Sequence, residues 1–414
     1  VIMNRHPLAS HAASLPRRHR AGRIIATIVV FLAVFGVSFA SLVIADVSSW
    51  TNKTDISALL GGKHQEKPKN PEDSFANRDL NILVIGSDYR AKKEYDETGQ
   101  LVTGMRADTT LLAHISADRK RIEVMSIPRD LMVDRPECTR QNGTDEPASR
   151  GKIQFNSVFA LLSEDKYVAP ATACTLKTVE DLTGIYIDEF VVVDFDGFQD
   201  MVAALGGVPM CFDEPVKDVT AGLYLDAGCQ NLDPTQALAY ARARKSLGDG
   251  SDISRIGRQQ QLIGAMMKEA KSRNFLTDLP SLYAFLKAGM KSLTTSQTFG
   301  SATNIGGLAL SLSKLEPSHI RFYTLPFEEY APDPARVAVA DNASELFDAL
   351  RLDEPIPTTF PYQDLDGNKV EPTPETTNTA NPDSVGNVGS GSTGELNGSN
   401  STSSNLPTRN GSVG

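Results

Sequence analysis

From Leu80 onward, short apolar runs alternate with stretches of helical period. Leu80–Gly86 (LNILVIG) is an apolar run that stops at a glycine. Asp108–Ser116 and Arg121–Ile127 are β-rich runs joined by the charged turn Ala117-Asp118-Arg119-Lys120, which predicts a hairpin. Gln154–Ser163 and Ala169–Thr183 repeat their apolar residues with helical spacing. Phe190–Phe195 (FVVVDF) reads as a buried strand, and a helix around Phe198–Leu205 follows, ending at Gly206-Gly207. Val208–Phe212 is a further strand. Asp233-Pro234 supplies an N-cap acid and a first-turn proline, the start of another helix. A long helix runs from about Ser254 to Arg273, and His319–Leu325 with Glu345–Leu352 adds a last strand and helix. Strands interleaved with helices predict an α/β sandwich around a mixed sheet.

The flanks differ from this middle. Ile24 to Ala45 carries no charge and, at about 1.5 Å per residue, is long enough to cross a bilayer. Arg5, Arg17, Arg18, Arg20 and Arg23 precede it with no acid among them. The positive-inside rule therefore makes residues 1–23 cytoplasmic and 24–45 a single transmembrane helix, with the remainder outside the cell membrane. A cleaved signal peptide is the rival; the apolar run is long for one, and no clear Ala-x-Ala site closes it. Residues 46–79 read as an extracellular linker, 80–275 as the main α/β domain and 276–356 as an α/β extension. In 357–414 the composition turns to Thr, Asn, Ser, Gly and Pro, a disordered tail.

The formal net charge of -10 argues against a general nucleic-acid binder but not against a local basic pocket. Four cysteines, Cys138, Cys174, Cys211 and Cys229, form no Cys-x-x-Cys pair, which speaks against zinc. In an exported chain they suggest disulfides. Three pairings are open; Cys138–Cys174 with Cys211–Cys229 is favoured, because each pair brackets one local excursion.

Charged residues gather where predicted strands end. Asp88 follows Gly86-Ser87, Arg106 and Asp108 open the next strand, and Arg129 follows a proline directly after a third. Taken singly, each is a solvated loop charge. Lys152 stands at a helix start, where the helix dipole disfavours it unless an anion is near. The densest cluster is Arg242 and Arg244, then Asp252, Arg255, Arg258 and Gln259. On one helix Arg255, Arg258 and Gln259 occupy positions i, i+3 and i+4 and share a face. The bland reading is a charged outer face with i,i+3 pairing, yet the cluster is poor in Glu. Such an excess of cations over Asp88, Asp108 and Asp252 fits a diphosphate, since Arg grips phosphate oxygens in bidentate fashion. The aspartates suit Mg²⁺, which prefers carboxylate and phosphate oxygens. Within 80–356 no nucleotide-binding glycine loop and no Gly-x-Ser-x-Gly elbow is present; the one Gly-x-Gly-x-x-Gly match, Gly389–Gly394, falls in the polar tail with no apolar run before it.

The segments NILVIGSD, MRADTTLL, IEVMSIPRDLMV, KIQFNSVF, FVVVDFDGFQDMVAALGGV, LDPTQALAYARAR and GDGSDISRIGRQQQ, in this order from about Asn81 to Ala270, resemble the LytR–CpsA–Psr family of its actinobacterial type. The resemblance implies a mixed central sheet flanked by helices on both sides, with an apolar pocket for a polyprenyl tail. It implies an enzyme that, with Mg²⁺, moves a glycopolymer and its phosphate from a polyprenyl diphosphate carrier to the 6-hydroxyl of N-acetylmuramic acid in peptidoglycan. Polyprenyl phosphate is released. Carried over position by position, Asp88 and Asp108 would be the Mg²⁺ carboxylates, and with Arg106 and Arg129 the catalytic set. Arg106, Arg129, Lys152, Arg242, Arg244, Arg255 and Gln259 would hold the diphosphate, and Asp252 and Arg258 would orient the arginines. Two departures stand out. Ala107 replaces a commoner serine, and Gln154-Phe155-Asn156 replaces Asn-Ala-Ala, which is expected to put a larger side chain beside the pocket.

Two other readings use the same residues. One is a polyprenyl-diphosphate hydrolase with water as acceptor. The other is a non-catalytic regulatory protein that only holds the lipid carrier.

Overall fold

The computed structural model describes residues 52–61, 75–88, 105–163, 167–243, 252–273, 287 and 293–372. The apolar segment 24–45 and residues 373–414 lie outside the described residues.

Alternation along the strands decides the architecture, because successive side chains point to opposite faces. In β2 (Leu80–Ser87), Leu80 and Ile82 belong to one core and Leu83 and Ile85 to another. The partner strands repeat this: in β3 (Ala107–Ile115), Leu111 and Ile115 face one way and Leu112 the other. β4 (Ile122–Ile127) is buried along its whole length, as a central strand should be. With two apolar faces to cover, the sheet must lie between two helical layers.

Six more strands complete this sheet: β1 (Asn52–Lys53), β5 (Glu189–Val193), β6 (Leu293–Thr295), β7 (Ile320–Thr324), β8 (Tyr362–Asp364) and β9 (Lys369–Val370). Their order is β1-β6-β5-β2-β3-β4-β7-β8-β9. The pairs β1/β6, β5/β2 and β4/β7 are parallel and the rest antiparallel, so the sheet is mixed. The β3–β4 hairpin predicted from sequence is present, Thr110 facing Ile127 and Ile115 facing Ile122.

Eight helices are found among the described residues: α1 (Ser57–Leu60), α2 (Phe155–Leu162), α3 (Ala169–Thr183), α4 (Phe195–Ala204), α5 (Pro234–Arg242), α6 (Asp252–Ser272), α7 (Ala302–Ser311) and α8 (Ala343–Arg351). On the face that carries Leu83 and Ile85, Phe159 of α2, Val179 of α3 and Leu346 of α8 are fully buried. On the opposite face, which carries Ile82 and Leu111, α6 brings Ile263 and Met267 and α7 brings Leu308.

Both disulfides favoured by the sequence are formed. Cys138–Cys174 (Cα–Cα 5.4 Å) ties a small hairpin to α3, and Cys211–Cys229 (Cα–Cα 3.9 Å) joins directly opposed residues of the antiparallel pair Val208–Phe212 and Gly228–Leu232.

The ordered chain extends beyond the limits read from composition. β1 and α1 come from the segment read as linker, and β8 and β9 from the segment read as tail. These strands are two or three residues long, too short for a hydrophobic period to register. The last ones are nevertheless built in. Leu365 is buried, and its carbonyl oxygen sits 2.8 Å from where a Cβ on Gly264 would be, so only glycine lets α6 approach this segment.

Candidate functional site

Four strand termini meet at one edge of the sheet. The end of β2 lies beside the start of β3, the end of β4 beside the same start, and the end of β5 runs parallel to the end of β2. Strand ends of this kind are where α/β folds gather polar side chains.

A bulge aims one of them. Gly86 pairs with Thr109, but the next residue, Ser87, pairs with Ala107, so β3 carries an extra residue. Strict alternation would send Asp108 to the side of Thr110 and Leu112. With the bulge, Asp108 and Thr109 both line the cavity on the α6 side of the sheet. Gly86 belongs to this device, since a Cβ there would come within 3.1 Å of the Thr109 side chain.

The cavity has a volume of about 750 Å³ and lies between this sheet face and α4, α5 and α6. Its walls are apolar, with Val84, Leu111, Val124, Phe198, Ile263 and Met267 among them. At the strand-end edge the lining turns polar: Asp108, Asp194, Arg242, Arg255 and Gln259. A second, smaller cavity of about 200 Å³ lies at the opposite edge, by the start of β5.

The charged groups at and beside the mouth each have a definite support. Arg129 directs Nη1 to Asp108 Oδ1 at 3.1 Å, and its Nε lies 3.6 Å from Asp130 Oδ2. Asp130 also accepts from Arg336 Nη1 and Gln154 Nε2, both at 2.9 Å. Arg255, 2% exposed, donates to the Asp108 carbonyl at 3.1 Å. Asp88 accepts the Arg106 N–H on Oδ1 at 2.6 Å, while the Arg106 side chain is exposed. Arg242 lies over the Phe195 ring, 4.9 Å from its centroid.

Helix termini explain how Arg242 is held. α5 starts where Asp233-Pro234 predicted, and Asp233 and Gln236 form a full capping box there. At the other end, where helix carbonyls lack partners, Gln259 donates to the Ala241 carbonyl (3.2 Å) and Arg258 to that of Ala243 (2.5 Å). Arg258 and Gln259 are therefore buried clasps between α6 and α5 rather than a solvated face. Gln260, which the sequence did not single out, secures α6 to the sheet by donating to Ser126 Oγ (2.9 Å) and the Tyr323 carbonyl (3.1 Å).

Asp194 likewise gave no signal of its own in the sequence. It caps α4, accepting the Gly197 N–H on Oδ1 at 2.7 Å. Burial pushes its carboxyl above the ordinary aspartate value, the Gly197 bond opposes this, and the nearby Asp196 and Asp200 add to the rise.

Not every expected residue reaches the site. Asp88, Arg106, Arg129, Lys152 and Arg258 are not among the residues lining the cavity; the first three stand beside its strand-end edge, whereas Lys152 pairs with Asp134 at 3.2 Å with 45% of its side chain exposed. The stretch after it departs from expectation in the same way. Gln154 bonds Asp130, and Phe155 is buried in the core of the other sheet face, because α2 covers the face away from α6. The larger side chains thus do not border the cavity. Arg244 and the side chain of Asp252 lie outside the described residues. Among the described residues no group of three or more His, Cys, Asp or Glu could hold a metal. Asp88 and Asp108 each carry a carboxylate by the paired ends of β2 and β3, the donor type that a hard cation takes.

The chain is 29% identical over 280 residues to the probable cell wall biosynthesis protein LcpB of Corynebacterium glutamicum, covering 66% of this chain and 61% of that protein. It is 24% identical over 310 residues to the polyisoprenyl-teichoic acid–peptidoglycan teichoic acid transferase TagT of Bacillus subtilis, covering 73% of this chain and 85% of TagT. The chain thus spans about three fifths of the length of LcpB and most of TagT. Its fold matches that of the LytR-Csp2A-Psr enzyme from Actinomyces oris with a TM-score of 0.50 at 19% identity, over 69% of this chain and 97% of that one. With the family model matching residues 46–351, from before β1 to the end of α8, the chain belongs to the LytR_cpsA_psr family.

Proposed function

We propose that this chain transfers a glycopolymer, with its phosphate, from a polyprenyl diphosphate carrier to the 6-hydroxyl of N-acetylmuramic acid in peptidoglycan, releasing polyprenyl phosphate. The observation that carries this reading is one cavity with two chemistries. Its apolar length between the sheet and α6 suits a prenyl tail, and the arginines at its strand-end mouth suit the diphosphate. Relatives named as teichoic acid transferases support the class of reaction.

Phosphoryl transfer depends on positioning and charge neutralisation more than on covalent help from the protein. Arg255 and Arg242 border the cavity mouth and would neutralise the diphosphate; Arg129 holds Asp108 beside it. Arg106, exposed next to Asp88, would meet the part of the donor outside the cavity. Asp88 and Asp108 would hold Mg²⁺. The ion would supply charge neutralisation at the phosphate oxygens.

The segment Ile24 to Ala45 would tether the chain at the outer face of the membrane, where the donor lipid diffuses. The two disulfides support an oxidising, extracellular setting.

The test is mass spectrometry of products formed by the full chain in detergent with a short-chain polyprenyl diphosphate glycan, Mg²⁺ and peptidoglycan oligomers. A glycan–phosphate–muramyl adduct is expected. Free glycan phosphate alone would establish a hydrolase, and binding without turnover a lipid-holding protein.

A further inference from the structure

The acceptor hydroxyl must lose a proton as it attacks phosphorus. A carboxylate whose oxygens are already engaged by other side chains is poorly placed to take it. That describes most carboxylates at this edge. Asp108 is paired with Arg129 at 3.1 Å and Asp130 with Arg336 at 2.9 Å. Asp88 and Asp108 are, in addition, the residues assigned above to the metal.

Asp194 is placed differently. Val193 pairs with Gly86 in the parallel ladder, so Asp194 stands at the next step, beside Ser87, at the same edge as Asp88 and Asp108. It lines the cavity with Asp108, Arg242 and Arg255. Among the described residues no lysine or arginine pairs with it; its side-chain bond goes to the Gly197 N–H. From its own helix Asp196 and Asp200 act on it, and both favour the protonated form. From the other elements Arg242 of α5, Arg255 of α6 and Asp108 of β3 border the same end of the cavity, and the buried Asp218 also lines it. Burial outweighs the helix cap, and the carboxyl is raised above its usual value of 3.8. A base with a raised proton affinity is the better catalyst near neutral pH.

We propose that Asp194 is the catalytic base that accepts the proton of the acceptor hydroxyl. This rests on the transferase reading. The hydroxyl oxygen forms a bond to the phosphorus bearing the glycan. The bond from that phosphorus to the bridging oxygen breaks, and polyprenyl phosphate leaves with the electron pair. The proton passes to Asp194 and from there to water or the departing phosphate.

The competing role is a helix cap alone, and one substitution separates the two. Asparagine caps a helix as well as aspartate does but accepts no proton at these pH values. The full chain in detergent is assayed across pH with the short-chain donor, peptidoglycan oligomers and Mg²⁺. Asp194→Asn is expected to melt as the wild type does, with KM little changed and kcat lower by about 10²- to 10⁴-fold. In the wild type, kcat falls as pH drops through the Asp194 pKa; in the variant's residual activity this acidic limb is absent. If the Asn variant fails to fold, Asp194→Ser, another good cap, carries the same comparison. Wild-type kcat and an unchanged pH profile in the capped variant would overturn the proposal. A wild-type chain that forms no adduct removes the transferase reading, and this inference with it.

Discussion

Replacing Arg129 by alanine separates folding from catalysis. Arg129 Nη1 lies 3.1 Å from Asp108 Oδ1, and the side chains are 16% and 30% exposed. Two unit charges at that distance interact by about 5 kcal/mol at an effective dielectric near 20. Solvent screening and the cost of desolvation reduce the net contribution to about 1–2 kcal/mol. The surroundings stay tied without Arg129. Asp130 keeps Arg336 and Gln154, and the Asp108 carbonyl keeps Arg255. A loss of that size is small against the roughly 5–15 kcal/mol of a typical fold, so the variant should fold. Catalysis should suffer far more, because Asp108 would lose the group that holds it at the mouth. By analogy with loss of one preorganised charge-stabilising donor, transfer should fall about 10²- to 10³-fold. Arg129→Lys keeps the charge but not the guanidinium fork and should fall between the two. Urea denaturation gives the first quantity and initial rates of adduct formation the second. A folded Arg129→Ala protein with wild-type rates would refute the reasoning.

Three further outcomes follow from the fold. Removing the Cys211–Cys229 bridge, whose residues are 18 apart in sequence, should cost about 3 kcal/mol in the chain-entropy account, and the difference from wild type should vanish under reducing conditions. Ending the chain after Pro357 instead of after Pro372 deletes β8, β9 and the buried Leu365; loss of that side chain alone is worth about 1.5–3 kcal/mol, readable as a lower denaturation midpoint, and equal midpoints would contradict the packing. Burial raises the Glu123 carboxyl above 4.5, against the pull of Arg121, the Ile356 N–H, His114 and Arg321. The folded state then binds this proton more tightly than the unfolded chain, so this group's contribution to stability falls as pH rises above 4.5. Glu123→Gln should therefore gain stability relative to wild type over that range, and a difference independent of pH would count against it.

The parts legible in the sequence were those with a long period or a local signal. Ala169–Thr183 has four turns in which to display its spacing, and Asp233-Pro234-Thr-Gln writes its capping box into adjacent residues. The bulge was not legible. Ala107-Asp108-Thr109-Thr110 is short and mostly polar, so an extra residue leaves no break in an apolar pattern, although it decides which face Asp108 takes. Asp130 was named only as part of a motif; its partner Arg336 is 206 residues away, a pairing that no local pattern encodes. The shared face of Arg255, Arg258 and Gln259 followed from helical spacing. Its burial, and the use of Arg258 and Gln259 to bond the end of α5, depended on where that helix ends. Lys152 shows the reverse case. Its place at a helix start pointed to an anion, but the topology put α2 on the face opposite α6.

The most direct measurement asks whether the donor lies where its chemistry requires. A polyprenyl diphosphate glycan carrying a photoreactive group on its prenyl tail is bound to the full chain in detergent and irradiated, and the labelled residues are mapped by mass spectrometry. Labelling should fall on the apolar wall, on β3 around Leu111 and on α6 around Ile263 and Met267, and excess unlabelled donor should suppress it. Labelling confined to residues outside this cavity, or unaffected by competition, would contradict the account.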